Sequence, residues 1–375
     1  MRTLLLVFCF GVSLMLSAQT DLTGSFEFNG ATRDYRLHLP PDDVAPAQPA
    51  LVLNLHGYTS FAAEQEGYSR MNEVADTAGF VVCYPNGLNR EWNVGWAFNR
   101  NTDDVGFLRE LVARLVDEYD LDPLRVYTCG MSNGGFMSYR LACEASDVFA
   151  AAGSVTGGMV PGLRTSCDSS SRVVPVMQVH GTNDPTVAFG GSFLNDPIDV
   201  TVQYWADRHG VAGNALTLAV PDRVDDGLTT TRYAYVDPVR LDTLVDYYVV
   251  EGGRHTWPGG AGGQAGQTQD FSASASLWQF FRQFSLPPPV SVSSGFRQNT
   301  FRVWPNPARE QLHFAAQAYV RELTLYAAAG QEVLRKRIGA GEGQLDLPPL
   351  APAHYYVRVT SAGATEHAVL MVKKG

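Results

Sequence analysis

The chain has 375 residues, of which 45% are hydrophobic and 18% are charged. These proportions are typical of a globular protein, and the length allows two domains, one of which can exceed about 200 residues. The net charge of -10 at pH 7 disfavours contact with phosphate backbones and anionic lipid surfaces, so we expect no nucleic-acid partner.

The first 18 residues resemble a secretory signal peptide. Arg2 precedes an apolar run of about a dozen residues, and Ser17 and Ala18 offer a cleavage point before Gln19. The run is shorter than the ~20 residues that cross a bilayer, and no Cys lies directly after the cleavage point, which disfavours a lipoprotein anchor. We therefore expect residues 1–18 to be removed and the protein to be secreted, with no stable membrane span.

Cysteines that lie beyond this segment meet an oxidising compartment, where disulfides form. They are Cys83, Cys129, Cys143 and Cys167. A Cys143–Cys167 disulfide is favoured, because each of these two lies at the edge of a loop rather than inside a strand. The alternative is that all of them are small buried apolar residues.

Between residues 21 and 285, short apolar runs alternate with amphipathic helical patterns. The predicted elements, in chain order, are strands at 49–57 and 78–87, a helix at 103–120, a strand at 125–130, a helix at 133–145, a strand at 173–181, a helix at 198–209, a strand at 246–253 and a helix at 272–284. Asp103 or Asp104 can cap the first of these helices. This alternation predicts an α/β domain with a mostly parallel sheet covered on both faces. Residues 211–237 are predicted to form an edge hairpin.

The chain changes character after residue 285. Residues 286–298 contain three consecutive prolines and a Ser/Val stretch, which predict an exposed linker. Residues 299–375 alternate apolar and polar positions at period two, with Gly-rich turns between the runs. They therefore predict a small antiparallel β-sandwich.

The segment Gly130-Met131-Ser132-Asn133-Gly134 stands between a predicted strand and a predicted helix. This is the context of a nucleophile elbow, in which glycines two residues either side of the nucleophile leave room for a strained turn. The pentapeptide alone can arise by chance, so the prediction of Ser132 as nucleophile depends on that context and on partners elsewhere.

A serine hydroxyl needs an imidazole to take its proton and a carboxylate to orient the imidazole. In this fold class the acid follows the serine and the histidine comes last. His180, His209 and His255 follow Ser132 within the domain. His255 is the predicted base, because it lies in a Gly-rich loop directly after a strand. His180 and His209 are expected to support a turn and a helix end.

Asp184 is the predicted acid, since it lies in a turn just beyond the strand at 173–181. Its alternative is an ordinary Asp-Pro turn residue. Asp242 and Asp246 are rivals by position in the chain, but they precede or begin a strand. They are therefore expected at the wrong end of the sheet.

Two further groups of residues are predicted at the site. The backbone amides of Tyr58 and Asn133 are candidate oxyanion donors, with an ordinary strand-exit turn as the alternative for His56-Gly57. Aromatic residues follow on the same side, either to stack on a phenolic acid, sugar or polyester or to belong to the core. They are Trp92, Trp96 and Trp257. No His, Cys and Asp cluster has metal-ligand spacing, so we expect no metal and no other cofactor.

With these residues in place, the first domain resembles the polyhydroxybutyrate depolymerase-like esterases, which are similar to secreted feruloyl and acetylxylan esterases. The resemblance covers about residues 40–260, through LHGYTSFAAE, VVCYPNG, DDVGFLRELV, GMSNGGFMSYRLACE, VPVMQVHGTNDPTV and GGRHTWPGG. It implies an α/β-hydrolase fold, and it assigns Ser132, Asp184 and His255 the roles already given. The family's oxyanion turn matches His56-Gly57-Tyr58.

The C-terminal segment resembles the sorting domain of the type IX secretion system, through VWPNPARE and VLMVKKG. This resemblance implies export across an outer membrane by that machinery, and an extracellular or cell-surface location. A carbohydrate-binding or spacer β-domain is the alternative.

Together these observations predict a secreted serine carboxylester hydrolase that acts through an acyl-enzyme on feruloyl or acetyl esters of plant polysaccharides. A polyhydroxyalkanoate depolymerase is the alternative substrate class. Two other classes stay open: a serine peptidase, and a non-catalytic carbohydrate-binding surface protein.

Overall fold

The computed structural model describes residues 20–170, 172–287, 301–304, 310–316, 320–327, 331–337, 341–350, 353–361 and 365–372. The chain divides into two compact units, residues 1–287 and 288–375. The predicted signal peptide lies outside the described residues, as does the predicted linker from residue 288 onwards.

The first unit is built on one ten-stranded sheet with the order β1-β2-β4-β3-β5-β6-β7-β10-β9-β8. Its strands are β1 (Thr20–Phe28), β2 (Ala31–Leu39), β3 (Leu51–Leu55), β4 (Val81–Pro85), β5 (Val126–Met131), β6 (Ala151–Val155), β7 (Val176–Gly181), β8 (Ala215–Ala219), β9 (Thr229–Val236) and β10 (Thr243–Glu251). Its helices are α1 (Ala62–Ser69), α2 (Met71–Ala78), α3 (Asp104–Glu118), α4 (Asn133–Glu144), α5 (Arg164–Asp168), α6 (Ile198–Arg208) and α7 (Ala273–Phe281).

The six central strands, from β4 to β10 in the sheet order, pair in parallel. The expected α/β class is thereby confirmed. Strands such as β3 and β4 are buried along their whole length, which explains why they appear in the sequence as continuous apolar runs. The predicted edge hairpin is confirmed as the antiparallel pair β8 and β9. The antiparallel pair β1 and β2 at the other edge was not predicted.

Capping and covalent links fix the helices that flank the site. Asp103 caps α3 by accepting a hydrogen bond from the Gly106 amide at 2.8 Å, as one of the two predicted alternatives. A disulfide joins Cys143 in α4 to Cys167 in α5. Cys83 and Cys129 are buried free thiols. No helix among the described residues is long and apolar enough to cross a membrane.

The second unit consists of a three-stranded and a four-stranded antiparallel sheet, with the orders β11-β12-β15 and β14-β13-β16-β17. Its strands are β11 (Phe301–Trp304), β12 (Gln311–Ala316), β13 (Val320–Ala327), β14 (Glu332–Lys336), β15 (Gly341–Asp346), β16 (Ala353–Ser361) and β17 (Thr365–Val372). Leu312 and Leu345 of the smaller sheet share one buried cluster with Leu323, Leu325 and Val357 of the larger one. The two sheets therefore pack face to face around a common core.

A buried ion pair fixes the loop between β4 and α3. The Arg33 guanidinium in β2 lies 2.8 Å from Asp104 Oδ1, and both side chains are at most 2% exposed. Asp104 Oδ2 accepts hydrogen bonds from the Asn93 amide and the Thr102 hydroxyl, at 2.8 and 2.9 Å. Burial lowers the pKa of Arg33, and the neighbouring Asp104 charge opposes that shift. One carboxylate thus joins β2, α3 and the loop between β4 and α3.

We expect Asp104→Asn to lower the free energy of unfolding by about 3–5 kcal/mol, because it leaves the Arg33 charge buried without a counterion. The matched control is Glu110→Gln, which breaks the exposed i,i+4 pair with Arg114 and should cost less than about 1 kcal/mol. Urea unfolding measures both, compared at unchanged m-value. Equal small losses in the two variants would contradict the expectation.

Candidate active site

Ser132 occupies a strained turn between β5 and α4. Its backbone has φ 53° and ψ -119°, a conformation that non-glycine residues adopt only where the surrounding structure imposes it. The Ser132 amide donates to Val155 O at 2.9 Å, and its carbonyl accepts from the Phe136 amide at 2.9 Å. The turn is therefore tied on one side to β6 and on the other to the first turn of α4.

Close backbone approach makes glycine necessary on both sides of Ser132. A Cβ at Gly130 would lie 2.6 Å from Leu55 O and from the carbonyl carbon of Gly134, and a Cβ at Gly134 would lie 2.1 Å from Leu55 O. The end of β3 thus presses against the start of α4. This contact explains the spacing of the two glycines in the sequence.

Asp184 and His255 are brought together at the same edge of the sheet. They follow β7 and β10, which are adjacent parallel strands. His255 Nδ1 lies 2.8 Å from Asp184 Oδ2. Asp184 Oδ1 accepts from the amides of Thr186 and Val187 at 2.8 and 2.9 Å. Three donors thus bind the carboxylate, and His255 Nδ1 carries the proton of the third hydrogen bond.

The protonation state of Asp184 follows from two opposing effects. Burial raises its pKa, but the hydrogen bond from His255, the charge of that ring and the Val187 amide outweigh burial, and the pKa is lowered overall. Asp184 is thus a carboxylate, and His255 Nε2 is left to exchange protons. Ser132 and His255 line one cavity of about 270 Å³.

The His56 side chain orients the turn that carries the Tyr58 amide. The Gly87 amide donates to His56 Nε2 at 2.9 Å, so Nδ1 carries the proton and donates to Gly57 O at 2.7 Å. A trans peptide directs its C=O and N–H to opposite sides, so the Tyr58 N–H points away from the imidazole. Burial lowers the pKa of His56 to about 4, which keeps the ring neutral.

The turn that carries Tyr58 approaches Ser132, and Asn133 directly follows Ser132 in the chain. A Cβ on Gly57 would be 3.6 Å from Ser132 Cβ, which places the turn beside the serine. Asn133 is the first residue of α4, where amides have no acceptor within the helix. Its buried side chain exchanges hydrogen bonds with the Trp92 backbone, at 2.6 Å to the Trp92 amide and 3.2 Å to the carbonyl.

Two of the three tryptophans expected to contact substrate are core residues. Trp92 and Trp257 are 0% exposed. Trp92 Nε1 donates to His56 O at 3.0 Å, and Trp257 Nε1 donates to Ser274 Oγ at 3.1 Å. The expected substrate contact is therefore wrong for both, because their rings and their indole N–H groups are used inside the protein.

Trp96 is half-buried and belongs to an aromatic cluster beside the cavity. Its ring stacks on Phe98 at 5.3 Å, and Phe98 meets Tyr58 edge-on at 6.4 Å. Tyr58 and Phe98 are 49% and 54% exposed. Sequence reasoning missed the side chains of Tyr58, Tyr68 and Phe98. Tyr58 belongs to the HGY segment and Phe98 follows WNVGW, so those segments could have indicated both rings, whereas no sequence signal marks Tyr68.

The rivals for acid and base lie elsewhere. His209 ends α6 and bonds Val174 O at 3.1 Å. Asp246 is paired with Arg232 at 2.7 Å within the paired strands β9 and β10. His180 is fully buried and lies 3.5 Å from Asp184 Oδ2, behind the carboxylate rather than in the cavity.

Comparison with known proteins gives matches to both units. Residues 33–201 match the family model described as Esterase PHB depolymerase, and residues 302–373 match a secretion system C-terminal sorting domain. “Putative esterase NocK” from Nocardia uniformis subsp. tsuyamanensis is 34% identical over 257 residues, which cover 62% of this chain and 72% of that protein. “Feruloyl esterase C” from Emericella nidulans is 31% identical over 182 residues, which cover 46% of this chain and 62% of that protein.

Among solved structures, the acetyl xylan esterase from Aspergillus awamori superposes with a TM-score of 0.53 at 16% identity, over 70% of this chain and 99% of that one. This similarity concerns the fold alone. The chain spans less than two thirds of the length of the feruloyl esterase that it matches.

We expect Gly134→Ala to lower kcat for p-nitrophenyl acetate by about 10²-fold or more, because the added Cβ displaces the elbow from the Leu55 carbonyl. The matched control is Gly67→Ala in α1, where an added Cβ meets no atom within 4 Å and should raise stability by roughly 0.5–1 kcal/mol. Steady-state kinetics and urea unfolding measure the two effects. A Gly134→Ala enzyme with wild-type kcat would refute the steric argument.

Proposed function

The chain belongs to the PHB depolymerase family of esterases, and from that premise we propose that it is a secreted serine carboxylester hydrolase with Ser132, His255 and Asp184 as its catalytic residues. One observation carries the proposal. The ring of His255, held by Asp184 through Nδ1 at 2.8 Å, lines the same cavity as Ser132, which sits on a strained turn.

The reaction proceeds through an acyl-enzyme. Ser132 Oγ attacks the ester carbonyl carbon while its proton passes to His255 Nε2, which then donates that proton to the departing alcohol oxygen. A water molecule attacks the acyl-enzyme in the same way and releases the acid. Asp184 stays ionised throughout and stabilises the imidazolium that forms twice in each cycle.

The tetrahedral oxyanion is stabilised by the amides of Tyr58 and Asn133. The orientation that His56 imposes on the Gly57 carbonyl aims the Tyr58 N–H without motion during the reaction. The N-terminal end of α4 adds a favourable dipole at the Asn133 amide. Donors fixed in advance cost no reorganisation when the charge develops.

The acyl group is proposed to be aromatic, of the hydroxycinnamoyl class. The cavity next to Ser132 has a volume of about 270 Å³, which is more than an acetyl group can fill. Tyr58, Tyr68 and Met131 form its apolar lining, and Ser60, Glu64 and Gln65 add polar groups that can bind the hydroxyl of a phenolic ring. Aromatic rings and a thioether provide favourable contacts for a phenolic ring. A relative carries the name feruloyl esterase.

A polyester is the second candidate substrate. The description of the matching family model names PHB depolymerase, an enzyme that acts on a polyester. The exposed rings of Tyr58 and Phe98 offer apolar contact to a water-insoluble chain. An apolar surface of this kind beside the cavity suits a polymer more than a small soluble ester.

Export is proposed to follow from the second unit. Residues 302–373 match a secretion system C-terminal sorting domain, which supports recognition by the type IX machinery. With the N-terminal segment acting first as signal peptide, the enzyme would act outside the cell or on its surface, where polymeric esters are found.

We expect Ser132→Ala to lower kcat for p-nitrophenyl acetate by at least about 10⁴-fold, because the nucleophile is lost while the fold is kept. Ser169→Ala, at an exposed position in the same unit, serves as the control. A fluorophosphonate probe should label wild type and Ser169→Ala and leave Ser132→Ala unlabelled. Labelling of Ser132→Ala, or turnover by it, would refute the assignment and favour a binding protein.

The acyl preference is tested with soluble esters and a polymer. We expect kcat/KM for methyl ferulate to exceed that for methyl acetate by more than about 10-fold, since each buried methylene is worth roughly 1–3 kcal/mol of transition-state binding. A preference for acetate would refute the aromatic acyl pocket. Clearing of a polyhydroxybutyrate film without ferulate release would favour the polyester instead, and cleavage of peptides alone would refute the esterase class.

A further inference from the structure

A row of buried polar side chains runs from α4 to the carboxylate of Asp184. Gln178 and His180 are alternate residues of β7, so their side chains project from the same face, and both are 0% exposed. The Tyr139 hydroxyl, from α4, lies 2.8 Å from Gln178 Oε1. None of these three groups takes part in the proposed reaction, although buried polar groups are costly unless each one is satisfied.

The contacts of Gln178 fix the orientation of its amide. Its Nε2 lies 3.1 Å from Gly157 O and 3.3 Å from Val179 O. Carbonyl oxygens only accept hydrogen bonds, so the NH₂ end of the amide must face them. The carbonyl end then accepts the proton of the Tyr139 hydroxyl. If the amide were reversed, its oxygen would face the carbonyl oxygens of Gly157 and Val179, and neither contact could be a hydrogen bond.

The contacts of His180 fix its tautomer in turn. Gln178 Nε2 lies 3.2 Å from His180 Nδ1, and because the amide nitrogen is a donor, this contact favours an unprotonated Nδ1. The proton is therefore on Nε2, which lies 2.9 Å from Val187 O and donates to it. The contacts of both ring nitrogens are therefore consistent with one neutral tautomer, in which Nε2 carries the proton. Burial lowers the pKa of His180, in agreement with a ring that stays neutral.

His180 Nε2 lies beside the carboxylate of Asp184. The distance from Nε2 to Asp184 Oδ2 is 3.5 Å, and Oδ2 is the oxygen that accepts the hydrogen bond from His255 Nδ1. The residue whose carbonyl it binds, Val187, donates its own amide to Asp184 Oδ1. His180 therefore anchors, through Val187, the loop that carries Asp184, and its ring lies beside the oxygen that faces His255. Asp184 and His255 are the titratable groups that act on it.

We propose that His180, set in its Nε2–H tautomer by Gln178 and Tyr139, is a positioning residue that keeps Asp184 aligned with His255. This inference rests on the proposed catalytic roles of Asp184 and His255. It gives α4, which begins directly after Ser132, a hydrogen-bonded link to the acid on the opposite side of the site. Loss of the link would affect chemistry at bound substrate, and therefore kcat, more than the contacts that set KM.

The tautomer is measured first, on the wild-type chain with ¹⁵N-labelled histidine. Two-bond ¹H–¹⁵N correlation spectra distinguish the two neutral tautomers, and the His180 signal is the one that disappears in His180→Gln. We expect an Nε2–H ring that does not titrate between about pH 5 and 8, an interval in which an unperturbed histidine changes charge. An Nδ1–H ring, or a titration within that interval, would overturn the proposal whatever the variants do.

Kinetics of two variants test the positioning role. His180→Leu removes the hydrogen bonds of the ring to Gln178 and to Val187 O. It should lower kcat by about 10–100-fold with KM changed less than about 3-fold, as expected for a group that orients another. His180→Gln carries an amide donor where Nε2 stood and should recover most of that loss. A His180→Leu enzyme that is less stable but keeps wild-type kcat would overturn the proposal.

Asp184→Asn separates this inference from the function on which it rests. If Asp184→Asn retains activity, the role proposed for Asp184 itself fails. If Asp184→Asn is inactive while His180→Leu is fully active, the esterase mechanism stands and only the positioning role of His180 is refuted.

Discussion

The site depends on the close approach of two backbones, where the end of β3 meets the start of α4. Only hydrogen at Gly134 fits against the Leu55 carbonyl, at a point where a Cβ would be 2.1 Å from that oxygen. This contact fixes the strained turn of Ser132 and also the turn that follows β3, because both begin at the same junction. The proposed nucleophile and one proposed oxyanion donor are therefore positioned by a single steric constraint, before any side-chain interaction is considered.

Buried polar side chains then secure the loops that leave this junction. His56 holds the Gly57 carbonyl, Asn133 binds the Trp92 backbone, and Asp104 binds the Asn93 amide. Each of these groups would be costly in the interior without its partner, so each one selects a single loop conformation. The loops at the carboxyl edge of the sheet are therefore held by contacts in the protein interior. Their exposed residues can be substituted without loss of the proposed catalytic geometry.

The parts of the fold that follow from local pattern could be predicted from the sequence. The parallel strands, the N-cap of α3 and the edge hairpin depend on hydrophobic period and turn chemistry, and the approach of Asp184 to His255 follows from chain order and strand ends. The β1 and β2 hairpin was missed because its strands are half exposed and carry no apolar run. Trp92 and Trp257 were misjudged because the sequence does not distinguish an exposed ring on a loop from a ring buried beneath that loop.

The burial of Trp92 and Trp257 changes what determines specificity at this site. Their indole N–H groups bind His56 O and Ser274 Oγ. Both tryptophans therefore stabilise the structure behind the cavity and do not line it. The accessible rings belong to Tyr58 and Phe98, which lie on loops and make ring contacts with each other. Substitution of Trp92 would remove the hydrogen bond to His56 O and disturb the proposed oxyanion turn, so it should reduce turnover of every ester, whereas substitution of an exposed ring should alter the choice among esters. The proposed chemistry and the substrate preference therefore depend on different aromatic residues, although Trp92 and Phe98 lie in the same loop, between β4 and α3.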